Sequence, residues 1–284
     1  MLVSATCFGT LAIFAKFGYR AGFGPEQLLA LRFITAAVGM LGVAAVARQN
    51  PLALPRRALG ALLLLGVLYA GQAFTFFFAL RTLPASLVEL ILYSYPALVA
   101  LVAWALYRRR PPSLHLLALA VSFVGVALLL GGVTLAAGAG LLFAIASPIV
   151  YTSYILAGDR LMSGVPAISA GALTLTGAAL TWTIAASVTG HLQPPPNTVA
   201  WALLLGLALI PTMIASTTFL AALPLIGGGK AALLSTWEPV VTVTLAVILL
   251  GDRLRPLQLL GGLLVLLAVG GLQWRRRGRD EEQR

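Results

Sequence analysis

The sequence predicts an all-α polytopic membrane protein with ten transmembrane helices, and three observations predict it. Of its 284 residues, 60% are apolar and only 10% are charged, with a mean hydropathy of +0.98. An ordinary soluble domain is about 45–50% apolar and about 25% charged. The apolar residues form long unbroken runs of Leu, Ala, Val and Gly, where a membrane β-barrel would show short alternating segments. Short stretches of turn chemistry or charge separate the runs. In lipid each backbone N–H and C=O needs an internal partner, so runs of about 20 apolar residues span as helices.

Taken in order, the spans are 2–19, 27–47, 58–80, 85–107, 113–131, 138–157, 166–189, 198–220, 229–250 and 256–274. Span 1 lacks a basic segment before its apolar run and is read as a retained helix, not a signal peptide. Gly24-Pro25 ends the first connection, Asn50-Pro51 the second, and Arg81 to Pro84 the third. Pro111-Pro112 precedes span 5, and Gly164 to Pro166 precedes span 7. Pro194-Pro195-Pro196 opens the way to span 8, Gly227-Gly228-Gly229 separates spans 8 and 9, and Asp252 to Pro256 leads into span 10. No connection is long enough for a separate domain.

Charge sets the orientation. With the N-terminus inside, the cytoplasmic segments hold Arg48, Arg56, Arg57, Arg108 to Arg110, Arg160, Arg275 to Arg277, Arg279 and Arg284. The other side holds Arg20, Arg81, Arg253 and Arg255. Twelve against four predicts cytoplasmic termini, which makes the net charge of +11 a topology signal. No basic folded face suits a nucleic acid. Lys16 and Arg32, toward the outer ends of spans 1 and 2, could pair with acids or attract a carboxylate, but read first as interface anchors whose long stems reach the headgroups.

The chain repeats itself. At an offset of 143, residues 79–130 lie on 222–273: Ala79-Leu80 on Ala222-Leu223, Pro96 on Pro239, Arg109-Arg110 on Asp252-Arg253. Residues 1–135 and 136–284 thus read as two five-helix repeats. An odd number of spans inverts one repeat relative to the other, and inverted repeats place a substrate site near the midplane between them.

Polar residues interrupt the apolar helices in stripes. On a helix, residues three and four apart share a face. Span 4 carries Ser86, Glu89, Tyr93 and Pro96. Span 9 carries Ser235, Glu238 and Thr242. Span 6 carries Ser147, Tyr151 and Tyr154, span 3 carries Gln72 and Thr75, and span 8 carries Thr212 and Ser216. Such faces point into a bundle or a wet cavity, not into lipid. A single Ser or Thr in a span often serves as helix glue at about 0.6 kcal/mol. Five stripes together read as a pathway.

Glu238, near mid-span, has two readings. It is a substrate ligand or protonatable group, or a neutral cap where Pro239 breaks the helix. Glu89 lies nearer the outer end and reads as a solvated rim residue. Tyr93, Tyr95, Tyr151 and Trp237 could form an aromatic box for a flat or cationic group. Pro96, Pro148 and Pro239 are candidate hinges. Gly227-Gly228-Gly229-Lys230 is no phosphate loop, because Pro224 stands at its upstream glycine position and Ala231 at its hydroxyl position.

Enzyme chemistry is not expected. The chain has one cysteine, Cys7, and two histidines, His115 at a span start and His191 in a connection. These form neither a disulfide nor a zinc site nor a nucleophile–base pair. No metal and no cofactor is expected. The expected partners are a small-molecule substrate and the lipid bilayer, with no obligatory protein partner, because one chain holds both repeats and a monomer suffices.

The run Phe78-Ala79-Leu80, Leu83-Pro84-Ala85-Ser86 and Tyr95-Pro96-Ala97 resembles the EamA domain of the drug/metabolite transporter superfamily. So do Leu31-Arg32-Phe33, Trp237-Glu238-Pro239-Val240 and Gly251-Asp252-Arg253-Leu254. The resemblance covers essentially the whole chain as two inverted five-helix EamA repeats. It implies a central cavity lined by spans 1, 3, 4, 6, 8 and 9, and export of amino acids and other small metabolites or carriage of sugars and nucleotides; the compact form with minimal loops points to a bacterial inner membrane. Within the family, Tyr93 and Tyr95 before Pro96 are similar to a pattern of the YddG-type exporters of aromatic amino acids. Where those proteins often carry Trp in spans 1 and 6, this chain has Phe8 and Pro148.

Overall fold

A computed structural model describes residues 1–107, 113–131, 138–161 and 164–282. The Arg108 to Arg110 cluster, the Pro111-Pro112 break, the boundary near 135 and Arg284 lie outside them. The described residues form ten helices in the expected order, six of them long and apolar enough to cross a bilayer and the others shorter. Span 1 is Leu2–Gly9 and Leu11–Arg20, meeting at Thr10. Spans 2 and 3 are Pro25–Val46 and Arg56–Thr82. Span 4 is two pieces, Ala85–Leu92 and Tyr95–Tyr107. Spans 5, 6 and 7 are Ser113–Leu130, Ala139–Leu161 and Ala167–Val188.

Span 8 begins as Thr198–Ala208, widens into a π-helical turn at Leu209–Ile214, and continues as Ala215–Ser235. Span 9 follows as Trp237–Leu245 and a π-helical stretch, Ala246–Leu250; span 10 is Pro256–Glu282. The expected break at Gly227-Gly228-Gly229 is absent: helix Ala215–Ser235 runs through it, and the turn falls at Thr236. Each glycine weakens a helix by about 0.8–1.0 kcal/mol, yet removes no hydrogen bond, so a glycine run does not by itself end one.

The ends are built from local chemistry. Pro25 occupies the first turn of span 2 with Glu26 beside it, where a missing N–H and a negative charge are both tolerated. Asn197 caps span 8 by accepting from the Ala200 amide at 2.8 Å. Large apolar side chains such as Val38, Leu64, Leu142 and Ile184 stay exposed along the spans. This is the surface a bilayer covers.

The helix pairings follow a two-fold pattern. Span 2 packs on span 7, span 5 on span 10 and span 4 on span 9, each element against its repeat counterpart. Span 3 packs on span 6, and span 8 on span 1 in the corresponding way. The spans 5 and 10 contact is backbone on backbone: a Cβ on Gly261 would stand 2.5 Å from the Gly125 carbonyl oxygen and 2.9 Å from the Leu129 amide nitrogen. Side chains also reach carbonyls across spans. Ser4 donates to Ala215 at 2.8 Å, Trp182 to Ala70 at 3.2 Å and Gln258 to Leu129 at 3.1 Å.

Connections that alternate along the chain gather at the end opposite the termini. Gln27 donates to the carbonyls of Gln193 and Pro194 at 2.9 and 3.0 Å, Asn197 donates to Ala21 at 3.3 Å, and His191 pairs with Glu26 at 2.5 Å. Antiparallel spans require this clustering.

Gly261→Val forces spans 5 and 10 apart and is expected to cost about 1–3 kcal/mol. Gly60→Ala, where nothing lies within 4 Å of the added Cβ, is expected to leave stability unchanged or raise it by about 0.5–1 kcal/mol. Thermal unfolding in detergent reads both. A Gly261→Val protein as stable as the parent would contradict the backbone contact.

Candidate functional site

Two helix breaks, one per repeat, build the site. Span 4 stops at Tyr93 and resumes at Tyr95; span 9 starts after Thr236. Tyr93 and Thr236 are equivalent at the offset of 143. Pro96 and Pro239 stand in the first turns of the resumed helices, where a missing N–H does no harm. Each break leaves carbonyls without an intrahelical donor, and in lipid those carbonyls need partners.

The breaks partner each other. The Tyr93 hydroxyl donates to the Ser235 carbonyl at 2.8 Å, and the same oxygen lies 2.8 Å from Glu238 Oε2. One phenolic proton shared between two acceptors makes two weakened bonds, and a carbonyl only accepts. Both contacts are satisfied together when Glu238 supplies the second proton. The Glu238 backbone carbonyl accepts from Thr242 at 3.2 Å, and that hydroxyl also reaches the Gly9 carbonyl of span 1 at 3.0 Å.

Glu89 lies in Ala85–Leu92, all of whose residues are buried. The rim reading is therefore corrected: Glu89 is 3% exposed, its Oε1 has no partner among the described residues, and it stands one turn before Tyr93, whose amide donates to its carbonyl at 3.0 Å. This half of span 4 fills the middle of the bundle, so distance from a span end does not measure solvation there.

A row of tyrosines leaves this point. Tyr93 and Tyr95 meet at 6.0 Å between ring centroids, Tyr95 and Tyr151 at 4.6 Å, Tyr151 and Tyr154 at 5.9 Å, and Tyr154 and Tyr69 at 5.2 Å, the last two pairs stacked. Five of the seven tyrosines in the chain share one site. Tyr69 is missing from the sequence reading, although it stands three residues before Gln72 on the same stripe.

The other expected residues divide. Ser147 is fully buried with its hydroxyl unpartnered, and Pro148 sits inside an unbroken helix 139–161, its carbonyl accepting from Thr152 at 2.8 Å. Gln72 is buried, and its carbonyl accepts from Thr75 at 2.9 Å. Phe8 and Ser216 are half-buried and stand outside the tyrosine row. Trp237 is 46% exposed and its N–H donates to Thr6 at 3.2 Å, and among the described residues its ring makes no contact with the tyrosine row. Thr212 is buried at the π-helical turn and accepts from Arg32 at 3.0 Å. Arg32 is itself corrected from interface anchor to core residue, at 1% exposure.

The end opposite the termini is latched. Gly251, at φ +74°, takes the left-handed conformation that lets the chain turn sharply after span 9. The next residue, Asp252, accepts from the Ser86 amide at 3.0 Å and its hydroxyl at 2.8 Å. A carboxylate from the second half thereby caps the start of Ala85–Leu92 in the first. Asp252→Ala is expected to lower stability by about 0.5–2 kcal/mol, in the range of lost helix caps. Ser86→Ala keeps the backbone contact and is expected to cost less. Equal thermal unfolding of Asp252→Ala and the parent would rule out the latch.

The sequence pattern of the EamA-like transporter family matches residues 1–131 and 138–273. The Bacillus subtilis (strain 168) protein named uncharacterized transporter YcbK is 25% identical over 293 residues, covering 97% of this chain and 92% of that one. A solved crystal structure shares the fold, with a TM-score of 0.63 at 20% identity over 96% of this chain and 98% of the other. The chain is a multi-pass membrane transporter and belongs to the EamA-like transporter family.

Proposed function

We propose that the chain exports small amphipathic metabolites, foremost neutral and aromatic amino acids, across a bacterial inner membrane by alternating access, with both termini cytoplasmic. The observation that carries this reading is the junction of the two helix breaks, where Tyr93 holds Glu238, the buried Glu89 lies one turn before Tyr93, and the row of tyrosines begins. Carboxyls attract an ammonium group, and tyrosine faces accept a flat or apolar side chain. Glu238 is the proton-coupling group: a protonated carboxyl closes the hydrogen bonds at Tyr93, and an incoming ammonium replaces that proton with its own charge.

A lipophilic-cation exporter is the second reading. It draws on the same two carboxyls, which favour any cation. Preference for zwitterions over lipophilic cations separates the two.

Proteoliposome counterflow with radiolabelled amino acids tests the proposal. The parent is expected to show saturable exchange of neutral and aromatic amino acids. Tyr151→Ala is expected to reduce it at least tenfold, about 1.4 kcal/mol of lost contact. Glu238→Gln is expected to keep exchange and lose proton-driven accumulation. Proton-driven accumulation undiminished in Glu238→Gln would make the carboxyl a structural cap. Absence of exchange with any amino acid would defeat the amino-acid reading.

A further inference from the structure

Arg32 stands seven residues after Pro25, about 10 Å along the axis of span 2 at 1.5 Å per residue. A long basic side chain at that depth ordinarily reaches back to the headgroups. This one turns inward. Its guanidinium carbon lies 4.9 Å from the ring centre of Phe33 and 5.2 Å from that of Phe77. Nε donates to Thr212 Oγ1 at 3.0 Å, and Nη2 donates to the Tyr69 hydroxyl at 3.5 Å.

A guanidinium carries five N–H donors, and these contacts occupy two. Among the described residues no carboxyl forms an ion pair with Arg32; the ion pair present joins His191 and Glu26, in the connections outside the spans. Aromatic faces offset part of the cost of a buried cation, but a buried charge is ordinarily matched by an opposite one. The hydroxyls around it are fixed. Thr212 donates its own proton to the Leu207 carbonyl at 2.9 Å, which leaves its oxygen free to accept from Arg32. Thr212 also lies in the π-helical turn Leu209–Ile214, and such turns recur at functional sites.

Position gives the unmatched cation its meaning. Tyr69 ends the row of tyrosines that begins beside Glu238. Acid and base thus stand at opposite ends of one aromatic row, four ring-to-ring steps apart, so the ammonium and carboxylate of one α-amino acid, both borne by one carbon, engage them in turn and not together. We propose that Arg32, held by Tyr69 and Thr212, is a subsite for the carboxylate of the transported molecule. One guanidinium among neutral hydroxyls matches a single negative charge, and its planar fork matches the two oxygens of a carboxylate. The ligand class is a monocarboxylate with a flat or apolar body. This inference deepens the transporter reading and rests on it.

Ligand-induced thermal stabilisation of the purified protein at pH 7 tests the subsite without requiring transport. The probes are L-phenylalanine, 3-phenylpropionate, L-phenylalaninamide and phenethylamine, the last two lacking the carboxylate. The parent is expected to bind the two carboxylates at least about tenfold more tightly than the two amines, a difference of about 1.4 kcal/mol. Arg32→Gln is expected to erase that preference. Arg32→Lys, which keeps the charge and loses the fork, is expected to weaken it and decides the matter if Arg32→Gln does not fold. A parent that binds phenethylamine as tightly as 3-phenylpropionate overturns the subsite. So does a preference unchanged in a folded variant, or exchange of other solutes without binding of any carboxylate probe. Binding of 3-phenylpropionate without exchange of any amino acid sustains the subsite and defeats the amino-acid reading instead.

Discussion

A backbone carbonyl in hydrocarbon must find a donor, and much of the structure follows from the two places where this chain cannot supply one locally. The breaks at Tyr93 and Thr236 open carbonyls inside the bilayer. A single broken helix would need water or a neighbour. Here the two-fold arrangement brings the breaks together, and the Tyr93 hydroxyl serves the Ser235 carbonyl directly. The polar groups gathered there are those a carrier needs. The contact that satisfies the broken helix also sets the geometry of the proposed site.

The repeats match in backbone and differ in chemistry. At the position before the proline, the first repeat has Tyr95 and the second has Glu238. The repeated backbone supplies two equivalent breaks, and an acid at one and an aromatic at the other make their chemistry unequal. The tyrosine row extends that asymmetry through spans 6 and 3 toward Arg32. A symmetric cavity would have no preferred end for an ammonium or a carboxylate.

The spans were legible because lipid imposes length and apolarity, and the breaks were legible because Pro96 and Pro239 align at the repeat offset. What failed was whatever depended on facing. Span 2 is apolar around most of its circumference, so nothing in its pattern tells whether Arg32 points to headgroups or inward. Trp237 lies next to Glu238 in one helix, but adjacent helical positions point about 100° apart, and its N–H turns to Thr6 of span 1. Glu89 was read from its distance to a span end, which misleads when that half-helix is packed on all sides. Tyr69 had a signal in its spacing from Gln72 that hydrophobic patterning alone overlooks.

The proposed alternating-access cycle would place a further demand on the contacts at the end opposite the termini. Two states of similar free energy cannot be separated by the loss of a large apolar interface, because a ligand shifts the balance only by its differential affinity, a few kcal/mol for a population reversal of about 10⁴-fold. The ties opposite the termini suit that limit. Asp252 with Ser86, Gln27 with Gln193 and Pro194, and Asn197 with Ala21 each join the first half to the second by hydrogen bonds to backbone groups. Such bonds contribute about 0.5–1.5 kcal/mol each and can be exchanged for water. The contact of spans 5 and 10 is different in kind: at Gly125 and Gly261 the backbones touch, and separating them would forfeit close packing with no solvent bond in return. In the proposed cycle the hydrogen-bonded ties are the contacts suited to open, and the glycine contact is suited to stay as a pivot.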